Sequence, residues 1–99
     1  MAYKLKINQR FRTESLKIYQ YLKEEWSAKV ADEFMDGLYD RIQQLREMPF
    51  SGSIAPNHKE IRKIIISKHN KVYYRIKGNT ITILDLIQSK RNPQENKYE

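Results

Sequence analysis

Apolar residues recur along this chain with two different periods. Tyr3, Leu5 and Ile7 alternate with Lys4, Lys6 and Asn8, which predicts a first strand with one buried face. Leu16, Tyr19, Leu22 and Trp26 then recur at spacings of three, three and four, the stripe of a helix. Thr13 is placed to cap that helix and Glu14 suits its first turn; on this stripe Trp26 reads as core. Ser27 is placed to cap a second helix, in which Ala31, Phe34, Leu38, Ile42 and Leu45 recur at three, four, four and three. The short join at Glu25–Ala28 makes the pair an antiparallel helical hairpin. Pro49 closes the second helix, and Phe50-Ser51-Gly52-Ser53 with Pro56-Asn57 reads as loop.

The second half has the shorter period. Ile61 to Ser67 is a β-branched run whose isoleucines occupy both parities, so its facing stays open. Val72, Tyr74 and Ile76 alternate with Tyr73, Arg75 and Lys77, a clear strand. Gly78-Asn79 is a two-residue hairpin turn, and Thr80 to Ile87 forms the last strand, followed by a polar tail at Asn92-Pro93-Gln94-Glu95-Asn96. A two-residue turn pairs Lys77 with Thr80, Ile76 with Ile81, Arg75 with Thr82, Tyr74 with Ile83 and Tyr73 with Leu84. Val72, Tyr74, Ile76, Ile81 and Ile83 then share a helix-covered face. Tyr73, Arg75, Lys77, Thr82, Leu84 and Leu86 share the other, and its mixture of cations, an aromatic and leucines reads as a binding surface. The predicted class is α+β: two N-terminal helices packed on an antiparallel sheet of about four strands, in the order β-α-α-β-β-β.

Ninety-nine residues suit one domain over 1–99 with a single modest core. The absence of cysteine excludes disulfides and thiolate metal sites. His58 and His69 stand eleven residues apart, not at ligand-pair spacing, so neither metal nor cofactor is expected. The N-terminus lacks a secretory apolar stretch and no run approaches a membrane span, which predicts a cytoplasmic protein with no membrane partner. The net charge is +7, and it is uneven. Residues 1–12 carry +4, residues 13–56 carry −3, and residues 57–99 carry +6. The partner is therefore expected to be acidic, a nucleic acid or an acidic protein segment, and to meet the C-terminal half.

Taken in order, Tyr21-Leu22-Lys23-Glu24-Glu25-Trp26, then Ala31, Phe34, Ile42 and Leu45, then Pro49-Phe50-Ser51-Gly52, Ile61-Arg62-Lys63, Val72-Tyr73-Tyr74-Arg75-Ile76 and Ile81-Thr82-Ile83-Leu84 resemble the RelE/ParE toxin superfamily over nearly the whole chain. No single motif is specific; their order and spacing carry the match. The resemblance implies the toxin of a bacterial type II toxin–antitoxin system, a plasmid-stabilising, growth-inhibiting protein neutralised by a cognate antitoxin. It also implies one of two targets. ParE-like members act on DNA gyrase, and RelE-like members cut messenger RNA on the ribosome.

Metal-free RNA cleavage needs a base for the 2′-hydroxyl, cations for the phosphate and an acid for the leaving oxygen. The candidates are Arg62, Lys63, Arg75, Lys90, Arg91, His58 and Tyr98. Arg62 opens a strand after an isoleucine, where it can grip a phosphate through two N–H groups, and Arg75 lies centrally on the open face. The catalytic set of a ribonuclease would be Arg62, Arg75 and Tyr98. The partner-binding set comprises Arg62, Lys63, Tyr73, Arg75, Leu84, Leu86, Lys90 and Arg91. His58 and His69 read as solvated loop and turn residues. The resemblance puts an acid–base aromatic or histidine at the end of the last strand, whereas this chain has Gln88-Ser89-Lys90-Arg91-Asn92-Pro93 and no aromatic before Tyr98. That departure favours the gyrase reading over the ribonuclease. A plain RNA-binding domain ranks lower, since the chain lacks interleaved aromatics or a Gly-rich clamp for single-stranded bases.

Overall fold

The computed structural model describes residues 3–88 and Tyr98. Strand β1 (Lys4–Ile7) leads into helix α1 (Gln9–Glu25) and helix α2 (Ala28–Leu45). Strands β2 (Ser53–Ala55), β3 (His58–Ser67), β4 (Asn70–Lys77) and β5 (Thr80–Gln88) follow. They form one five-stranded sheet in the order β1-β5-β4-β3-β2. The sheet is mixed, because β1 lies parallel to β5 while the other pairs are antiparallel. Both differences from the expected four-stranded antiparallel sheet have local causes. The helical hairpin returns the chain to the start of β1, where the Arg46 carbonyl accepts from the Tyr3 N–H, but β2 then runs opposite to β1, so the three reversals that follow leave β5 parallel to β1. Ser53–Ala55, read as loop, is short enough to escape a period-two test yet pairs with β3.

Helix α2 forms as its stripe predicts. The Ser27 hydroxyl accepts from the Val30 N–H at 3.1 Å, and Ala31, Leu38, Ile42 and Leu45 are buried with Phe34 packed beside them. Helix α1 differs. It starts at Gln9 rather than after Thr13, with Asn8 as an N-cap that makes no side-chain bond. Its buried line is Phe11, Ser15 and Ile18, continued by Leu22. Relative to the predicted stripe the helix is rotated, and Leu16 and Trp26 point out; Trp26 is 71% exposed. The reason is that Phe11 packs into the core between helix and sheet, and the small Ser15 lets α1 lie close to β5. No helix among the described residues is long and apolar enough to cross a membrane.

The β4–β5 hairpin follows the predicted register from Lys77↔Thr80 to Tyr74↔Ile83. Gly78 takes φ 62°, and it alone among the described residues is left-handed; a primed turn with Gly first needs that freedom. Beyond Ile83 the register slips by one residue. Tyr73 pairs with Asp85 rather than Leu84, and Val72 with Leu86. This bulge moves Leu86 to the helix-covered core, where it is 1% exposed. It also turns Asp85 and Ile87 to the opposite face, alongside Tyr73. In β3, Ile64 and Ile66 pack toward the helices and Ile61 packs on the far side.

Candidate functional site

Tyr73 and Tyr74 are both fully buried, on opposite faces of the sheet, and each anchors a different structure. On the helix side, the Tyr74 hydroxyl donates to the Pro49 carbonyl at 2.8 Å and accepts from the Gly52 N–H at 3.0 Å. Burial raises the pKa of this phenol. A Cβ on Gly52 would lie 2.5 Å from that hydroxyl and 2.7 Å from the Lys63 carbonyl oxygen, so the loop approaches the sheet as only glycine allows. Arg62 closes the same loop. Its Nη1 donates to the carbonyls of Gly52 at 2.7 Å and Phe50 at 3.3 Å, and its guanidinium lies 5.1 Å from the Phe50 ring centre. Pro49, Gly52, Arg62 and Tyr74, which carried the family resemblance, thus form one clamp.

That clamp separates the expected site. Arg62 pairs in register with Tyr74 and belongs to its side of the sheet, whereas Arg75 pairs with Ile61 and faces away from the helices. Lys63 pairs with Tyr73 and shares the far side with Arg75. The structure therefore does not bring Arg62, Lys63 and Arg75 into one cluster. The far face is also not open where Tyr73 and Leu84 lie. Tyr98 stacks on Tyr73 with ring centres 4.6 Å apart and planes at 20°. Ala55, Ile61 and Ile87 complete this second apolar cluster, with Leu84 half-buried against it. Tyr73, expected as a contact aromatic, is inside, and Leu86 is in the main core. Lys90 and Arg91 lie outside the described residues. His58 opens β3 rather than a loop, and His69 sits in the β3–β4 turn.

The far face holds two residues that sequence reasoning did not single out. Asp85 is fully buried, with Oδ1 accepting from the Leu86 N–H at 2.8 Å and Oδ2 from Arg10 Nε at 2.6 Å. The Tyr98 hydroxyl donates to the same Oδ2 at 3.4 Å. Burial, followed by the Asp85 charge, pushes the Tyr98 phenol up to about 12. The Arg10 guanidinium is held above its usual range by its hydrogen bond to Asp85. One signal was available: unbroken alternation after Ile81 and Ile83 would put Asp85 under the helices, and an acid there betrays the slip.

A cleft of about 550 Å³ opens between the helical hairpin and the β3–β4 turn. Ile18, Tyr21, Leu22, Val30, Phe34 and Leu86 give it apolar walls, while Glu14, Lys17, His69 and Asn70 stand at its polar side. Asn70 Nδ2 donates to the Ser67 hydroxyl at 2.9 Å, whereas its buried Oδ1 has no partner among the described residues. No three His, Asp or Glu side chains gather into a metal-ligand set among the described residues.

Comparison with known proteins agrees with this architecture. The chain matches the sequence profile of the ParE toxin of the type II toxin–antitoxin system, parDE, over residues 5–93. No curated protein matches it significantly. Among solved structures it is similar to the chromosomal ParDE toxin–antitoxin system of P. aeruginosa, with TM-score 0.75 and 17% identity over 88% of this chain and 96% of that one. It is also similar to a mutant of the E. coli toxin RelE in the free state, with TM-score 0.62 and 16% identity over 91% of this chain and 86% of that one. A third is the RelBE2 toxin–antitoxin complex of Mycobacterium tuberculosis, with TM-score 0.61 and 13% identity over 89% of this chain and 99% of that one. At such identities the structures establish the fold, and the profile match over most of the chain establishes more: this protein belongs to the ParE toxin family of type II toxin–antitoxin systems.

Proposed function

We propose that the protein arrests growth by binding DNA gyrase and is neutralised by an antitoxin that docks in the cleft. The observation that carries the gyrase reading is that Arg62 lies on the helix side of the sheet while Arg75 and Tyr98 lie on the far face. A ribonuclease needs its phosphate cations and its acid around one scissile bond. Arg62 is committed to the carbonyls of Phe50 and Gly52 on the helix side. Tyr98 shares its proton with a buried carboxylate, and with a pKa pushed up to about 12 it is a poor acid near neutrality. Inhibition by binding needs none of these groups to converge. The test is a supercoiling assay with purified gyrase beside a translating extract. Inhibited supercoiling with intact messenger RNA is expected, and ribosome-dependent cleavage with unaffected gyrase would refute the reading.

For the antitoxin, the P. aeruginosa and M. tuberculosis relatives are solved as toxin–antitoxin systems, and the cleft offers a concave surface with apolar walls. Tyr21 is 54% exposed and Val30 37%. Such walls take buried side-chain anchors from the partner. Tyr21→Ser with Val30→Ser should weaken binding of the neighbouring gene's product at least about tenfold by calorimetry while the fold survives.

A further inference from the structure

The register of the sheet assembles a basic surface from residues far apart in sequence. On β1, Leu5 and Ile7 pack toward the helices, so Lys4 and Lys6 point to the far face. Lys4 pairs with Thr80 and Lys6 with Thr82 on β5. On the other side of β5, Lys77 pairs with Thr80 and Arg75 with Thr82. Two parallel rows result, Lys4–Thr80–Lys77 and Lys6–Thr82–Arg75. Strand geometry makes the rows about 7 Å apart and puts the two cations of a row about 10 Å apart at their backbones. All four cations are exposed, and both threonines are half-buried between them. None of the four makes an ion pair among the described residues.

We propose that this face binds the phosphodiester backbone of duplex DNA without regard to sequence. Its chemistry differs from that of a protein-binding patch. The centre of a protein interface is anchored by buried apolar and aromatic side chains, and the rows contain none; the apolar part of this face is covered by Tyr98. Lysine, arginine and threonine hydroxyls are the donors that phosphate oxygens take. A single strand would look for exposed aromatics on which to stack its bases, and the rows present none, which leaves the regular backbone of a duplex. The choice of DNA over an RNA duplex rests on the gyrase reading, since gyrase holds DNA.

Fluorescence anisotropy with a labelled DNA duplex of about 20 base pairs tests this without gyrase. Four phosphates neutralised predict a slope of log affinity on log salt of about −3.5, a loss of about a hundredfold between roughly 50 mM and 200 mM salt. Replacing Lys4, Lys6, Arg75 and Lys77 together by alanine should weaken binding more than about tenfold and flatten the slope. Replacing Arg12, Lys23, Lys29 and Arg41 on the helices removes the same charge and should change binding far less. Equal loss in both variants would mean that net charge alone attracts DNA and would overturn the site, as would absent binding by the natural protein. An RNA duplex bound more tightly than DNA would overturn the choice of partner, whatever the supercoiling assay shows. If the patch variant fails to fold, amine labelling of the natural protein decides. DNA should protect Lys4, Lys6 and Lys77 and leave Lys23 and Lys29 reactive, and uniform protection would refute the surface.

Discussion

Tyr73 and Tyr74 are neighbours in sequence, equally buried, and held by different means. Tyr74 lies under a loop that is bonded to it at both ends, through Pro49 and Gly52, and locked from the side by Arg62. Tyr73 lies in an apolar cluster under the Tyr98 ring, whose hydroxyl reaches a carboxylate at a bulge. The first arrangement uses backbone groups that no side-chain substitution removes, and a close approach that allows one residue type only. The second includes an aromatic stack and a long side-chain hydrogen bond. Residues that look like a functional signature therefore divide into those that shape the loop and those that surface beyond it. Arg62 belongs to the first group and Arg75 to the second.

The largest effect should follow from filling the clamp. Gly52→Ala places a methyl group against the Tyr74 hydroxyl and the Lys63 carbonyl, displacing the N–H that the hydroxyl accepts. Overpacking and a lost buried hydrogen bond together predict a destabilisation of about 3–4 kcal/mol in urea unfolding. A change below about 1 kcal/mol would show that the loop is free to move, and the contrast between the two tyrosines would vanish.

Asp85→Ala comes next. It removes the acceptor of the Leu86 N–H, the Tyr98 hydroxyl and the Arg10 guanidinium. Arg10 is about half exposed and regains water, so only the two uncharged donors are stranded. The expected cost is about 2–3 kcal/mol, less than for a fully buried ion pair broken from one side. Arg62→Lys should cost about 1 kcal/mol, since lysine keeps the charge but not the planar guanidinium that lies over the Phe50 ring while its Nη1 reaches both carbonyls.

These residues also mark how far periodicity reaches. The second helix, the hairpin turn and four pairs of the β4–β5 register were legible because a single face decides each of them. The first helix was misread because Leu16 and Trp26 imitate a stripe while its true line contains Ser15, a polar residue at a close-packed contact. The bulge was missed because a pairing rule counts residues and cannot see an extra one. With it went Leu86, the burial of Tyr73 and the role of Asp85. The separation of Arg62 from Arg75 was in principle readable, since it needs only the β3 register, but isoleucines at both parities hid that register. Arg10 had no local signal, because its partner is far away in sequence.

The smallest expected effect sharpens the comparison most, because it touches only the second cover. Tyr98→Phe keeps the ring on Tyr73 and removes a hydroxyl whose bond to Asp85 is long, at 3.4 Å. Near neutral pH the loss should be about 0.5 kcal/mol. The difference lies at high pH. An ordinary tyrosine loses its proton near 10, whereas Tyr98 in the folded chain does so near 12. The folded state therefore holds this proton more tightly than the unfolded chain. The stability tied to it is fully present below about pH 10 and is lost as the pH climbs toward about 12. Stability measured by urea unfolding across that window should fall more steeply for the natural protein than for Tyr98→Phe. Two parallel curves would mean that the hydroxyl does not sit against the Asp85 carboxylate.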